Sequence, residues 1–328
     1  MTRRLTPGVV AAFAAIYLIW GSTYLGIKFA IATLPPLTVV ATRSITAGAL
    51  LYAWGRWRGA GAPSVAQWRA GVIVGALLFL GGHGGLAWAQ QRVPSGVASL
   101  FIATLPLWMT LMQAQKDGAS VFTPRTLAGL AAGTLGILVL VGPAVLLGSE
   151  PVHLLGAAVL VLAALSWSVG SAVAQRSPRP ASLSVTTGSY LLSGGSLLLM
   201  AGIASGELRD LRPDTISFQS LAALGYLIAF GSVVAFGAYS WLIRRRSLAA
   251  VSTYAFVNPV VAVFLGWALG GESLNARVVA AATLVVAAVV LILSGRAAVE
   301  EAEAPTARAV TSSVPQTVSA SLSKRKCA

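Results

Sequence analysis

Residues 87–106 read AWAQQRVPSGVASLFIATLP, and residues 240–259 read SWLIRRRSLAAVSTYAFVNP. Each stretch ends one apolar segment, crosses a short polar link that carries arginine, and opens a second apolar segment holding a proline. Set 153 residues apart, Trp88 falls on Trp241, Arg92 on Arg245, Ser99 on Ser252 and Pro106 on Pro259. A one-residue gap further on aligns TPRTLAGLAAGTLGILVL, from Thr123, with NARVVAAATLVVAAVVLI, from Asn275, and puts Arg125 opposite Arg277. A repeat covering about half the chain each time outranks any local motif. The chain reads as a duplicated membrane unit.

Composition agrees. Of 328 residues 56% are hydrophobic and 10% charged, with a mean hydropathy of +0.80, so lipid is the solvent for most of the chain. A membrane-spanning helix needs about 20 apolar residues. Ten such runs are present, at about 8–28, 36–55, 68–90, 94–114, 124–146, 152–174, 182–204, 216–243, 248–269 and 275–295. They predict an all-α polytopic membrane protein. The links between them carry Pro and Gly, as at Leu34-Pro35-Pro36 and Gly270-Gly271. Barrel strands would be about half as long and would alternate. The first run follows Arg3 and Arg4, but without a small-x-small cleavage site it reads as an uncleaved helix. Residues 8–146 and 152–295 form the two five-helix units, and 296–328 is expected to be a disordered basic cytoplasmic tail. The lone cysteine, Cys327, excludes an intramolecular disulfide and a Cys-based metal site.

The net charge of +14 does not point to nucleic acid, because the basic residues sit in short links and the tail, not in a patch with exposed aromatics. With a cytoplasmic N-terminus, seventeen Lys and Arg fall inside. Five fall outside (Lys28, Arg92, Arg209, Arg212 and Arg277), and Arg43 lies within a helix. That asymmetry predicts both termini in the cytoplasm. Five helices per unit is odd, so the second unit enters upside down. Inverted repeats place a substrate site near the midplane between halves that rock against each other.

All nine carboxylates lie in links or the tail, which leaves no mid-helix acid for a proton relay or a metal cage. The intramembrane groups are Arg43, His83 and, near an outer end, Lys28. His83 lies between glycine pairs in LGGHGGLAWAQ, where a neighbour or a ligand can approach the backbone, and Gln90 shares its face. The alternative is a packing histidine bonded to a neighbouring helix. Arg43 can snorkel outward, bond exposed carbonyls, or bind an anionic group. Trp20, Tyr24 and Lys28 recur every four residues, with Ser22 and Thr23 beside them, and Trp167 and Ser171 repeat that spacing in the sixth helix. Both tryptophans are well inside their segments, so they line a cavity or pack against a neighbour. Pro106 and Pro259 are each expected to break a helix and free the carbonyl one turn earlier, at Ile102 and Ala255, with Tyr254 and Asn258 on one face just before the second break. Matching breaks in two halves point to a binding site.

The stretches YLIWGSTYLGIK, PPLTVVATRSITAG, VPSGVASLFIATLPL, LSWSVGSAVAQR and GYLIAFGSVVAFGAYSWLIRRRSLAAVSTYAFVNPVVAVFLGWALGGES together resemble the EamA-type family of the drug/metabolite transporter superfamily, and within it the YedA-like and YddG-like exporters. The likeness runs from Tyr17 to about Ser294. It implies ten helices in two inverted units, a bacterial inner-membrane location, and a cavity lined by helices 1, 3, 4, 6, 8 and 9. By motif it implies substrate contacts at Trp20, Ser22, Tyr24, His83, Trp108, Trp167, Tyr239, Tyr254 and Asn258. Smaller multidrug relatives use a first-helix glutamate for proton exchange, and this chain has no acid there.

These readings converge on a non-enzymatic exporter of small metabolites, foremost amino acids (aromatic and other neutral ones). No metal or other cofactor, no nucleic acid and a monomer in the bilayer are expected. Movement is downhill, or weakly proton-linked through His83, and a flat rate between about pH 5.5 and 8 would remove His83 from coupling. The rivals are a proton-coupled multidrug pump, a nucleotide-sugar or sugar-phosphate carrier, a passive channel, and an intramembrane hydrolase needing a Ser–His pair. The carrier of phosphorylated substrates calls for more than one buried cation, and the hydrolase lacks a GxSG-type elbow near His83.

Overall fold

The computed structural model describes residues 6–93, 101–117, 121–141, 154–209, 211–270, 276 and 279–294. The expected tail at 296–328 with Cys327, the link and helix start at 94–100, and residues 142–153 lie outside the described residues.

Every regular element among the described residues is helical. In chain order they are α1 (Pro7–Ala30), α2 (Pro36–Trp57) and α3, where Val65–Gly75 runs through a π-helical stretch, Ala76–Gly84, into Gly85–Gln90. Then come α4 (Leu105–Asp117), α5 (Pro124–Val141), α6 (Leu154–Arg176) and α7 (Leu183–Ala204). Helix α8 again has three parts: Phe218–Tyr226, the π-helical Leu227–Ala235, and Phe236–Leu242. A single turn, Leu248–Val251, precedes α9 (Tyr254–Gly270), and α10 is Val279–Ser294. Five helical spans, in α1, α3, α6, α7 and α8, are long and apolar enough to cross a membrane, and α5, α9 and α10 contain shorter apolar helices.

Local chemistry sets the helix starts. Ser64, Ser182, Ser217 and Ser247 each accept a backbone N–H of the following turn, and Ser64 forms a reciprocal capping box with Gln67. Helix α2 follows Pro35 and has no cap of its own. The Glu207 carboxylate supplies one from 170 residues away, accepting from the backbone N of Leu37 at 3.3 Å and of Thr38 at 3.1 Å. A negative group at a helix N-terminus answers both the open donors and the dipole. Glu207→Ala is therefore expected to cost about 0.5–1 kcal/mol, the group being only half-buried. A melt of the purified protein with an unchanged midpoint would contradict this.

Large apolar side chains face outward all round the bundle, among them Leu18, Leu162, Met200, Phe218, Phe230 and Val286. The interior is close-packed where small residues let backbones meet. A Cβ on Gly48 of α2 would stand 2.7 Å from the backbone N of Leu192 in α7, and one on Gly188 of α7 would stand 2.7 Å from that of Tyr52. Lipid offers no hydrophobic drive between helices, so such dispersion contacts hold α2 against α7.

The third and eighth helices share two devices. Their nine-residue π-helical stretches lie 151 residues apart. Near their ends the guanidinium of Arg92 covers the Trp88 ring at 4.0 Å, and that of Arg245 covers Trp241 at 4.2 Å. A π turn widens the helix and leaves carbonyls open to side-chain donors. Ser166 Oγ of α6 donates to Leu77 O at 2.8 Å in the first stretch, and Trp20 Nε1 of α1 donates to Gly231 O at 3.1 Å in the second.

Candidate functional site

Trp20 of α1 and Trp167 of α6 meet edge to face, with ring centroids 6.0 Å apart. Tyr254 meets Trp20 at 4.8 Å, Tyr239 meets Trp20 at 5.3 Å and Trp167 at 5.6 Å, and His83 tilts over Trp167 at 4.8 Å. Phe79 and Phe236 close the cluster behind them. Glycines make this density possible. A Cβ on Gly81 would collide with Ser166, and one on Gly82 would stand 3.0 Å from the Trp167 ring. The rings hold one another in orientation, each pair worth about 0.5–1.5 kcal/mol beyond burial.

Against this cluster lies a cavity of about 220 Å³. Trp20, Thr23, Arg43, His83, Trp167, Tyr254 and Asn258 bring its polar and aromatic groups, and Ile27, Val39, Val40, Leu86 and Leu105 its apolar wall. It reaches Ile31 and Pro36, where α1 passes into α2, and Gln91 at the end of α3. On the opposite side of Asn258 the helices are cross-tied. Tyr17 Oη bonds Thr253 Oγ1 at 2.6 Å, and the Asn258 amide, oriented to donate, reaches the carbonyls of Tyr254 at 3.1 Å and Tyr17 at 3.2 Å.

Among the sequence candidates, Trp20, His83, Trp167, Tyr254, Asn258 and Arg43 come together on the cavity wall. Tyr239 stands one layer behind, fully buried, its hydroxyl bonded to Ser171. Ser22 turns away, bonding Ile19 O at 2.7 Å and Tyr226 Oη at 2.5 Å, while Thr23 beside it faces the cavity. Trp108 donates to Thr104 Oγ1 at 3.1 Å and is not in the lining. The side chains of Tyr24, Lys28 and Gln90 lie outside the described residues.

Three expectations are corrected by the geometry. Pro106 does not break α4: the chain turns at Ala103-Thr104, and the proline stands in the first helical turn, where a missing N–H leaves no bond unmade. The Phe101 carbonyl there already accepts Thr104 N at 3.2 Å and Thr104 Oγ1 at 2.5 Å. In the second half the turn falls at Ser252-Thr253, and Pro259 is accommodated inside α9. Second, the cavity wall takes residues from α2, and none from α8, which supports the wall from behind through Gly231, Ser232 and Tyr239. Third, Arg43 does not snorkel, and among the described residues it bonds no carbonyl. It is 5% exposed and donates from Nε to Ser232 Oγ at 3.0 Å. Sequence reading missed Ser232, Gly231 and Tyr17, since their roles depend on partners about 190 to 240 positions away.

His83 Nδ1 is buried without a protein partner, and Trp167 Nε1 lies near the Tyr239 hydroxyl without a hydrogen bond of good geometry.

Comparison with known proteins adds a family and relatives. The model of the EamA-like transporter family matches twice, over residues 6–142 and 154–294. The chain is 36% identical over 297 residues to the "Uncharacterized inner membrane transporter YedA" of Escherichia coli (strain K12), covering 90% of this chain and 93% of that protein. It is 26% identical to Protein PecM of Dickeya dadantii, over 84% of this chain and 88% of that protein. A "Probable amino-acid metabolite efflux pump" of Salmonella typhimurium is 28% identical over 60% of this chain and 66% of its own length. A solved crystal structure at 22% identity superposes with a TM-score of 0.72, over 89% of this chain and 99% of the other.

Proposed function

The chain belongs to the EamA-like transporter family, and from that premise we propose that it is a bacterial inner-membrane exporter of small metabolites. Amino acids, aromatic and other neutral ones, are its foremost substrates, moved by alternating access between two inverted five-helix repeats. The observation that carries this reading is the cavity where Trp20 of α1 meets Trp167 of α6, walled by aromatic rings and by no carboxylate among the described residues. The twofold match to the family, the paired π-helical stretches and the paired Trp–Arg contacts support the duplication. The names of YedA and of the Salmonella efflux pump support location and substrate class.

With both termini in the cytoplasm, the end of the cavity at Ile31, Pro36 and Gln91 faces outward, and the ties at Tyr17, Thr253 and Asn258 form the closed inner side. Alternating access then requires those ties to open as the outer side closes. The described lining comes from one chain, so a monomer suffices.

The test is counterflow into proteoliposomes loaded with unlabelled amino acid, with a labelled panel outside, with and without a pH gradient. Saturable exchange indifferent to the gradient is expected. Silence across the panel, with gradient-driven movement of cationic drugs, would replace this reading by a multidrug antiporter. In the same assay His83→Ala is expected to raise KM about three- to tenfold with a smaller change in kcat, as for loss of a contact held in ground and transition states alike. An unchanged KM would remove His83 from the substrate surface.

A further inference from the structure

Among the described residues no acid answers the charge of Arg43. It lies two turns into α2, 5% exposed, and its one hydrogen bond among the described residues is from Nε to the neutral hydroxyl of Ser232. Its head rests against the π-helical stretch of α8 at a bare spot: a Cβ on Gly231 would stand 3.4 Å from Nη2. The two carboxylates whose side chains are described are engaged or remote, Glu207 on the α2 N-terminus and Asp214 exposed in the turn Pro213–Thr215. Of the described residues lining the cavity, Arg43 alone is an arginine or lysine, and none is Asp or Glu.

A guanidinium withdrawn from water with one neutral partner is held at a cost that a ligand can relieve. Its fork matches a carboxylate, in two parallel charge-assisted bonds. Beyond Arg43 the described wall offers rings and aliphatic groups for an apolar body, the neutral polar groups of Thr23, His83, Gln91 and Asn258, and no acid for a substrate ammonium. A dianion such as a phosphate monoester would leave one charge unmatched. We propose that Arg43, seated on Ser232 and Gly231, is a carboxylate anchor, and that the cavity takes monocarboxylates with an apolar or aromatic body whether or not they carry an α-amino group. This rests on the cavity being the transport site and widens its substrate class past amino acids.

The experiment uses the full chain in lipid nanodiscs and three molecules of one skeleton: 3-phenylpropionate, L-phenylalanine and phenethylamine, with phenyl phosphate as the dianionic control. Binding is read by tryptophan fluorescence and by melting temperature. Both carboxylates are expected to bind, 3-phenylpropionate at least as tightly as L-phenylalanine, whose ammonium finds no acid on the described wall, and phenethylamine and phenyl phosphate at least about tenfold more weakly than 3-phenylpropionate, about one charge-assisted bond's difference. Arg43→Gln should erase the preference while its unliganded melting temperature is no lower than that of the wild type, because an unmatched charge has been removed. Ser232→Ala, which keeps the charge, should weaken carboxylate binding about threefold, and Arg43→Lys should retain part of it. Equal or tighter binding of phenethylamine, or an intact carboxylate preference in folded Arg43→Gln, would overturn the anchor. A fall in unliganded melting temperature in Arg43→Gln, with the preference intact in Ser232→Ala, would assign Arg43 to packing and also overturn it. Counterflow of labelled phenylalanine by the wild type is scored separately. Arg43-dependent binding without counterflow sinks the transport reading and leaves the anchor, whereas counterflow indifferent to Arg43→Gln does the reverse.

Discussion

Trp20→Ala is expected to abolish transport and to cost about 3–5 kcal/mol of stability, the range for deleting a large buried aromatic side chain. Trp20 is 8% exposed, lies against Trp167, Tyr239 and Tyr254, and donates its indole N–H to the Gly231 carbonyl. Truncation leaves a void at the meeting of α1, α6, α8 and α9 and strips a π-helical carbonyl of a donor in a region with little water to replace it. Trp20→Phe keeps a ring in the cluster and loses mainly that hydrogen bond, so it should cost about 1–3 kcal/mol. Melts of the purified variants and counterflow with the wild-type substrate separate the two effects. A Trp20→Ala protein that melts with the wild type and transports normally would mean that the cluster neither holds the halves together nor shapes the cavity.

Gly188→Leu should be more damaging still, since no rearrangement of side chains relieves it. The added atoms meet backbone, with Tyr52 N at 2.7 Å and Gly48 O at 2.8 Å from the first carbon alone. Helices α2 and α7 would have to separate, carrying Arg43 away from Ser232. The expected result is loss of folded protein from detergent extracts by about tenfold or more, following the packing loss along the whole contact. Gly237→Ala is the matched control, because nothing lies within 4 Å of its added carbon. It should express and melt at least as well as the wild type, helped by the lower entropy of the unfolded chain. If both variants behave alike, close contact of α2 with α7 does not hold this bundle.

Much of the scaffold is legible in the sequence, because a bilayer imposes one rule on every spanning segment. The start of α2 at Pro36, of α5 at Pro124 and the end of α7 at Ala204 fall where apolar runs and turn formers put them. The alignment of Trp88 with Trp241 and Arg92 with Arg245 anticipated two residue pairs that make the same ring contact in space. Trp20 and Trp167 were legible as interior residues, since a headgroup-belt tryptophan sits near a helix end and these do not.

What could not be read was who meets whom. Hydropathy says that Arg43 is within a helix and says nothing of Ser232, 189 positions later. It distinguishes neither Ser22, which bonds Tyr226, from Thr23, which faces the cavity, nor a proline that breaks a helix from one that begins it. The π-helical stretches had no signature in composition, although they place His83 on the wall and open the Gly231 and Leu77 carbonyls. Segment length, apolar content and charge bias are properties of the chain against its solvent, so the sequence by itself determined an all-helical membrane protein. The cavity is a property of the chain against itself, set by which faces of distant helices pack, and only the tertiary structure decided that.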